Sequence, residues 1–556
     1  MAADESKSGM DGLDGFPNEV LALILELLDL DSLFRCHDVC KSWRKCSLWE
    51  SNYLPHVFDA YTELTHGTRP LSATLSGSEK TQLLGELFRT SVSALPVFAT
   101  CRSLRDIAVV LRRLDRAWLA GNNTSFASLS HVNVQTPALC MAVDTETGSI
   151  VTGHSEGIVA FWNASEKSCY YQSSFETFGY RRVIPKQIAI EGNIMVIASN
   201  NGGIVVTRRS RTGRNPPFIQ VGEFRVATQA TSICMEKYVC IVGENSAVSF
   251  WDLSRFAKYE PLPAGTNPSQ LLMTIDTSND NLPVPNSPVN SLFYRDSQLY
   301  LGLAGSRIQQ IISQSSRGRI FKRQLWEPEE DPYTRLALGP EYHGSSMGQS
   351  RLCPMGSKGD ILVSWADSSI YRLSPNIGDD LVWEPRYECL VPAVKSSCKD
   401  CVGIYARGEQ VICRVRQNEI ELFLGNGALI RRIPHAHGDI SCILFDPAFI
   451  AVGTKEASLC VYYFAPWHKI CANGQGPSPP AATNSLQSAL SERKHTYKRK
   501  YQDAMGMDLD KSSVVGAVVG SNAGLRVPTK NTLRGSSPRR LALESSTGIK
   551  IPVPAP

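Results

Sequence analysis

A strand–turn–strand unit recurs through the middle of the chain. Its best copies read T-G-H-S-E-G-I-V-A-F-W-N at Thr152–Asn163 and V-G-E-N-S-A-V-S-F-W-D at Val242–Asp252. Each is an apolar strand, a turn, and a second strand closing on Trp-Asn or Trp-Asp. Trp162 and Trp251 stand 89 residues apart, which leaves room for one more copy. Ile194–Thr207 supplies it, with Thr207 where the tryptophan would stand. Four further copies follow at Leu299–Ile312, Ile361–Leu373, Val411–Phe423 and from His437 through Ile450–Gly453 to Leu459–Tyr463. One such unit cannot cover its own apolar faces, but neighbours stacked on it build a continuous core. The strand-prone stretch Thr124–Val132 precedes the first full copy and is expected to complete the last sheet, hiding an open edge.

Ahead of the repeats the period is helical. In Cys101–Trp118, Leu104, Ile107, Ala108, Leu111, Leu114 and Trp118 share one face, with Asp106, Arg112, Arg113 and Arg116 away from it, and Gly121 suits the stop. Ser78–Ser91 carries the stripe Leu83, Leu84, Leu87 and Phe88. Further upstream, Pro17 suits the first turn of a helix. That helix holds Val20, Leu21, Leu23, Ile24, Leu25, Leu27 and Leu28 around a lone Glu26. A helix so apolar must be covered on more than one side. Asp31 is expected to cap a second helix through Leu33 and Cys36. A module of about 40 residues rarely builds a sufficient core, so part of this surface is expected to meet another protein.

From Phe16 to Trp49 the order of residues resembles an F-box. Pro17, Ile24, Leu28, Leu33, Cys36, Val39, Cys40, Trp43, Leu48 and Trp49 match its pattern, and Phe16 and Val20 are conservative replacements. The resemblance implies docking on a Skp-type adaptor, and through it on cullin and RING subunits of an SCF-type ubiquitin ligase. The implied adaptor-binding residues are Pro17, Leu21, Ile24, Leu25, Leu28, Leu33, Val39 and Trp43, several of which must instead form the module's own core. The repeats resemble WD repeats, whose usual length is ~40–45 residues. A literal Trp-Asp occurs only at Trp251-Asp252, and longer insertions follow the third, fourth and fifth units. This resemblance implies a β-propeller of about seven blades. Ala117-Trp118-x-x-Gly121 resembles the junction that precedes the propeller in many F-box/WD-repeat proteins.

The expected fold class is mainly β with an all-α N-terminal part. Its divisions are a disordered 1–12, an F-box at 13–54, a helical linker at 55–121, a propeller at 122–467 and a basic disordered tail at 468–556. Together the resemblances imply a non-catalytic substrate-recognition subunit, its propeller binding degrons for ubiquitination and proteasomal degradation. The alternative is a WD-repeat scaffold that binds the adaptor without delivering substrates. Propellers of this family often read phosphorylated degrons through arginines, so Arg208, Arg209, Arg211 and Arg214 form the candidate degron contact. About a dozen residues precede the F-box, too few for the dimerisation helices of some relatives. One receptor per complex is therefore expected.

Charge and cysteine content narrow the partners. The formal net charge is +4, but residues 471–556 hold +7 of it and the rest of the chain −3. No specific nucleic-acid contact is expected from so neutral a body. Neither a secretory signal nor a stretch able to span a bilayer is evident, so a cytoplasmic or nuclear protein is expected. The 16 cysteines read as buried thiols, and the lone Cys398-x-x-Cys401 has no second pair at zinc spacing. No metal and no cofactor is called for. Gly153–Gly157 and Gly344–Gly348 both fit G-x-S-x-G, but Ser155 is followed by a strand and Ser346 has no strand before it. Neither meets the strand–turn–helix context of a nucleophile elbow. In the tail, Ser537-Pro538-Arg539-Arg540 resembles a proline-directed phosphorylation site, and Arg493-Lys494 with Lys498–Lys500 a nuclear import signal.

Overall fold

The computed structural model describes residues 17–65, 75–121, 125–129, 134–164, 166–176, 183–199, 201–211, 216–258, 269–277, 289–295, 298–303, 307–314, 319–326, 351–355, 360–364, 369–374, 386–392, 401–416 and 418–465. Phe16, Arg214, the Gly344–Gly348 motif, Cys398, Ser537, the import-type signal and the calls on 1–12 and 468–556 lie outside them.

Six helices come first. They are α1 (Asn18–Glu26), α2 (Leu30–Arg35), α3 (Lys41–Ser47), α4 (Leu54–Leu64), α5 (Gly77–Ser91) and α6 (Leu104–Leu119). Pro17 precedes α1 in an extended conformation, where its missing N–H costs nothing. The cap of α2 is Asp29, whose carboxylate accepts from the Ser32 N–H at 2.9 Å and from its hydroxyl at 2.7 Å. Asp31, expected in that role, sits in the first turn instead and pairs with Arg112 and Arg116 of α6. Both long helices open on a reciprocal capping box, Ser76/Glu79 for α5 and Ser103/Asp106 for α6. The predicted apolar face of α6 is buried at Leu104, Ile107, Ala108, Leu111, Leu114 and Trp118. Gly121 follows it with φ +62°, the left-handed stop that favours glycine.

Beyond the helices, the described strands form seven four-stranded sheets, and every pairing within them is antiparallel. Their innermost strands are Ala138–Asp144, Pro185–Glu191, Ser232–Glu236, Val289–Arg295, Arg351–Met355, Cys401–Arg407 and Ile440–Asp446. Each packs beside the next, and the last returns to the first. The result is a closed ring of sheets, a β-propeller. The repeat units read from the sequence are the two middle strands of each sheet. They are continuous apolar runs because sheets press on both faces: Ser149–His154, Ile194–Ser199 and Phe449–Thr454 are buried at every position.

Closure joins the two ends of the ring. Ser125–Leu129, from the N-terminal side, pairs with Leu459–Tyr463 in a register running from Ser125↔Tyr463 to Leu129↔Leu459. The last sheet thus takes one strand from before the first sheet, as the stretch Thr124–Val132 led one to expect.

The helices are bolted to the last two sheets. Trp118 stacks on Phe464 with ring centroids 3.9 Å apart, and its indole N–H donates to the Pro447 carbonyl at 3.0 Å. Arg407 pairs with Asp115 at 2.7 Å and donates to Pro447 O at 2.9 Å. The Asp446 carboxylate accepts from the Ser93 hydroxyl and from the Ala94 N–H. Arg431 donates to Gly121 O at 2.8 Å. Ring stacking, ion pairing and hydrogen bonds from several elements leave little freedom for a hinge here.

Candidate functional site

Helix α1 is apolar all round, and its surroundings divide it into two stripes. Leu21, Ala22 and Leu25 face the helical core, with Leu28 packed against its edge. Val20, Leu23, Ile24 and Leu27, spaced i, i+3, i+4, i+7, face outward. Leu23 is 63% exposed and Leu27 87%. Val39 and Leu48, on either side of α3, are exposed as well, and α3 packs against α1. Such a run of large apolar side chains in water marks an interaction surface.

The propeller offers a second candidate in its central channel, a cavity of 420 Å³. Its wall comes from the innermost strands, with Leu139, Met141, Lys186, Thr231, Ser441 and Ile443 among the residues that line it. Burial pushes the pKa of Lys186 down, and no carboxylate among the described residues offsets the effect. Neither the lysine nor the channel stood out in the sequence, because the signal is a convergence of strands far apart along the chain.

Two of the clustered arginines, Arg208 and Arg209, are used internally. Arg209 makes a bidentate pair with Asp144 at 2.7 and 2.8 Å, an ion pair with Glu146 at 3.2 Å, and lies over the Phe218 ring. Arg208 donates to the carbonyls of Lys258 and Phe256 at 2.5 and 3.3 Å. Arg211 is exposed at the strand end. A phosphate at Arg209 would have to displace two carboxylates, so that arginine is a structural tie between neighbouring sheets rather than an open anion site.

The serine of Gly153–Gly157 sits in a hairpin turn that closes at Gly157, with φ +79°. His154 belongs to a buried relay. The Trp162 indole N–H donates to the Thr152 hydroxyl at 2.8 Å, and that hydroxyl meets His154 Nε2 at 2.8 Å. His154 Nδ1 donates to Thr136 O at 2.8 Å, a carbonyl that only accepts. Burial pushes the pKa of His154 down, in keeping with a neutral ring that locks the hairpin. In the third sheet Trp251, Ser249 and Glu244 make the same chain of bonds at 3.1 and 2.9 Å, with a carboxylate in place of the imidazole.

Residues 13–55 match the F-box-like family model. The helices α1, α2 and α3 form an F-box-like domain. No curated protein matches the chain. Three solved structures align with 61% of it: U3-55K (10% identity, 98% of that chain, TM-score 0.42), the RRP9 WD40 repeats (10%, 97%, 0.43) and the Cps50 (Swd1) β-propeller domain of Myceliophteria thermophila (12%, 99%, 0.44). The propeller rests on the sheets described above.

Burial sorts the residues implied for the F-box face. Pro17, Ile24 and Val39 are exposed. Leu21, Leu25 and Leu33 are 2%, 0% and 0% exposed, so they are core and offer nothing to a partner. Leu28 and Trp43 are half-buried at the edge, and the Trp43 indole N–H is buried with no acceptor. Sequence reasoning missed Val20, Leu23 and Leu27 as surface, since an all-apolar helix carries no mark of which side faces out. Among the described residues there is no metal-ligating cluster and no helix long and apolar enough to cross a membrane.

Proposed function

We propose that this chain is the substrate-recognition subunit of an SCF-type ubiquitin ligase. The F-box docks on a Skp-type adaptor, and through it on cullin and RING subunits, while the propeller holds protein substrates for ubiquitination. The observation that carries this reading is the exposed stripe Val20, Leu23, Ile24 and Leu27 on a domain whose opposite face is already used in its core. Burying a leucine of this kind at an interface contributes about 1.5–3 kcal/mol. Such a receptor needs no catalytic residue, because it works by holding target lysines near an activated ubiquitin, which raises their effective concentration. Rigidity between the two binding faces serves that role, and the Trp118, Arg407 and Asp446 contacts supply it.

The test is capture of purified Skp-type adaptor and cullin by the full chain. Leu23→Asp/Leu27→Asp changes exposed residues only, so its thermal midpoint should match wild type while capture falls at least roughly tenfold. Undiminished capture removes the docking assignment. If capture holds but no propeller-bound protein accumulates when the cullin is blocked, the scaffold alternative takes its place.

A further inference from the structure

Among the described residues, the polar side chains of the channel wall have partners, with one exception. Gln187 donates to Thr231 O at 3.1 Å and accepts from the Ile233 N–H at 2.6 Å. The Thr231 hydroxyl is bonded to Gly243 O at 2.9 Å, and the Ser441 hydroxyl to Ala138 O at 2.6 Å. Asn290 has an interaction of its own. Among the described residues Lys186 is the single charged residue in the lining. Its ammonium has neither hydrogen bond nor ion pair among the described residues. A half-buried cation with curtailed hydration gains from an anion that comes to it.

We propose that Lys186 recognises a peptide carboxylate, an acidic side chain or a chain terminus, that a substrate inserts into the central channel. The inference rests on the reading of the propeller as the substrate face and adds the chemistry of what it reads. Three features select a carboxylate. Among the described residues no arginine lines the cavity, whereas phosphate sites favour the forked guanidinium or several converging donors. One cation is not the track of charge that a nucleic acid needs. Leu139, Met141 and Ile443 in the same lining give the anion's aliphatic stem, or an adjoining apolar residue, a surface to cover.

The experiment uses the full chain, immobilised, and three degenerate pools of N-acetylated peptides. One has a fixed central Glu and an amidated end, one a central Gln and an amidated end, and one a central Gln and a free C-terminal carboxylate. Wild type should retain a carboxylate pool roughly tenfold or more over the neutral pool. Lys186→Met should lose that preference and Lys186→Arg keep it, with matched thermal midpoints. Enrichment of the Glu pool assigns a side chain as the source, and enrichment of the free-carboxylate pool a terminus. Equal retention of all three by wild type, or an undiminished preference in Lys186→Met, overturns the proposal while leaving the propeller as a peptide platform. Retention of none overturns both, and adaptor capture by the F-box is unaffected by either outcome.

Discussion

Glu421 shows how far a residue's role can depend on neighbours that its own segment does not announce. In the sequence it is one of two acids in the strand Glu419–Leu424, between Ile420 and Leu422. In the sixth sheet it is wholly buried, takes Arg414 at 2.6 Å and Arg432 at 3.1 Å, and Arg414 in turn lies over the Phe423 ring. A buried pair is weak evidence of net stability, but breaking it strands a charge. Glu421→Ala should therefore cost about 3–5 kcal/mol in urea unfolding, whereas Arg414→Met/Glu421→Leu should come out near neutral. Arg209 teaches the same lesson from the other side. Four arginines within Arg208–Arg214 resemble an anion site, yet the carboxylates that occupy Arg209 come from Asp144 and Glu146, in the preceding sheet. Local spacing cannot register a partner more than 60 positions away.

Elements were more legible than contacts. The stripe on α6 follows from a 3.6-residue period and the doubled strands of each sheet from short apolar runs separated by turns, both of which the chain displays directly. Caps were less so. Asp29 and Asp31 flank the same turn, and only the Ser32 bonds decide that Asp29 is the cap. The closing strand was readable because a ring of sheets leaves a vacancy where it begins and ends. Its hold can be measured: Leu129 is 1% exposed opposite Leu459. Leu129→Ala should cost about 2–5 kcal/mol. Amide exchange should then speed up first along Ser125–Leu129 and Leu459–Tyr463, before the second and third sheets respond. Uniform acceleration around the ring would mean that closure is not a local event.

At the scale of the molecule, the junction between helices and propeller carries an unusual charge balance. Burial, then the nearby Asp115 and Asp59, push Glu63 up to about 7, against the opposing pull of Arg407. Burial likewise pushes Asp446 up to about 6, although the Ser93 hydroxyl and the Ala448 and Ala94 N–H groups favour its charged form. Both folded-state values lie above the unfolded ones, so the folded protein binds these protons more tightly. The stabilising contribution of these two groups is then greatest below about pH 4 and declines as pH rises through 4–7, levelling off above that window. Glu63 accounts for roughly 3 kcal/mol of this decline. Glu63→Gln should leave stability near wild type at pH 4.5 and exceed it at pH 8 in denaturant titrations. An equal offset at both pH values would show that Glu63 ionises in the folded chain as readily as in the unfolded one.

From the order of residues alone came a helical arm, an F-box pattern, a repeating sheet unit and the strand that closes it. These are decided by periodicity and by apolar residues that must be covered, and both are written locally. Only the folded chain decided which side of α1 is left bare, which arginines are already paired and which lysine stands in the channel wall. Those outcomes depend on what distant segments bring to the same place. Leu25 and Leu27 are two residues apart in one helix, yet one is core and the other surface, because the core they answer to is assembled from residues as remote as Phe88 and Leu111.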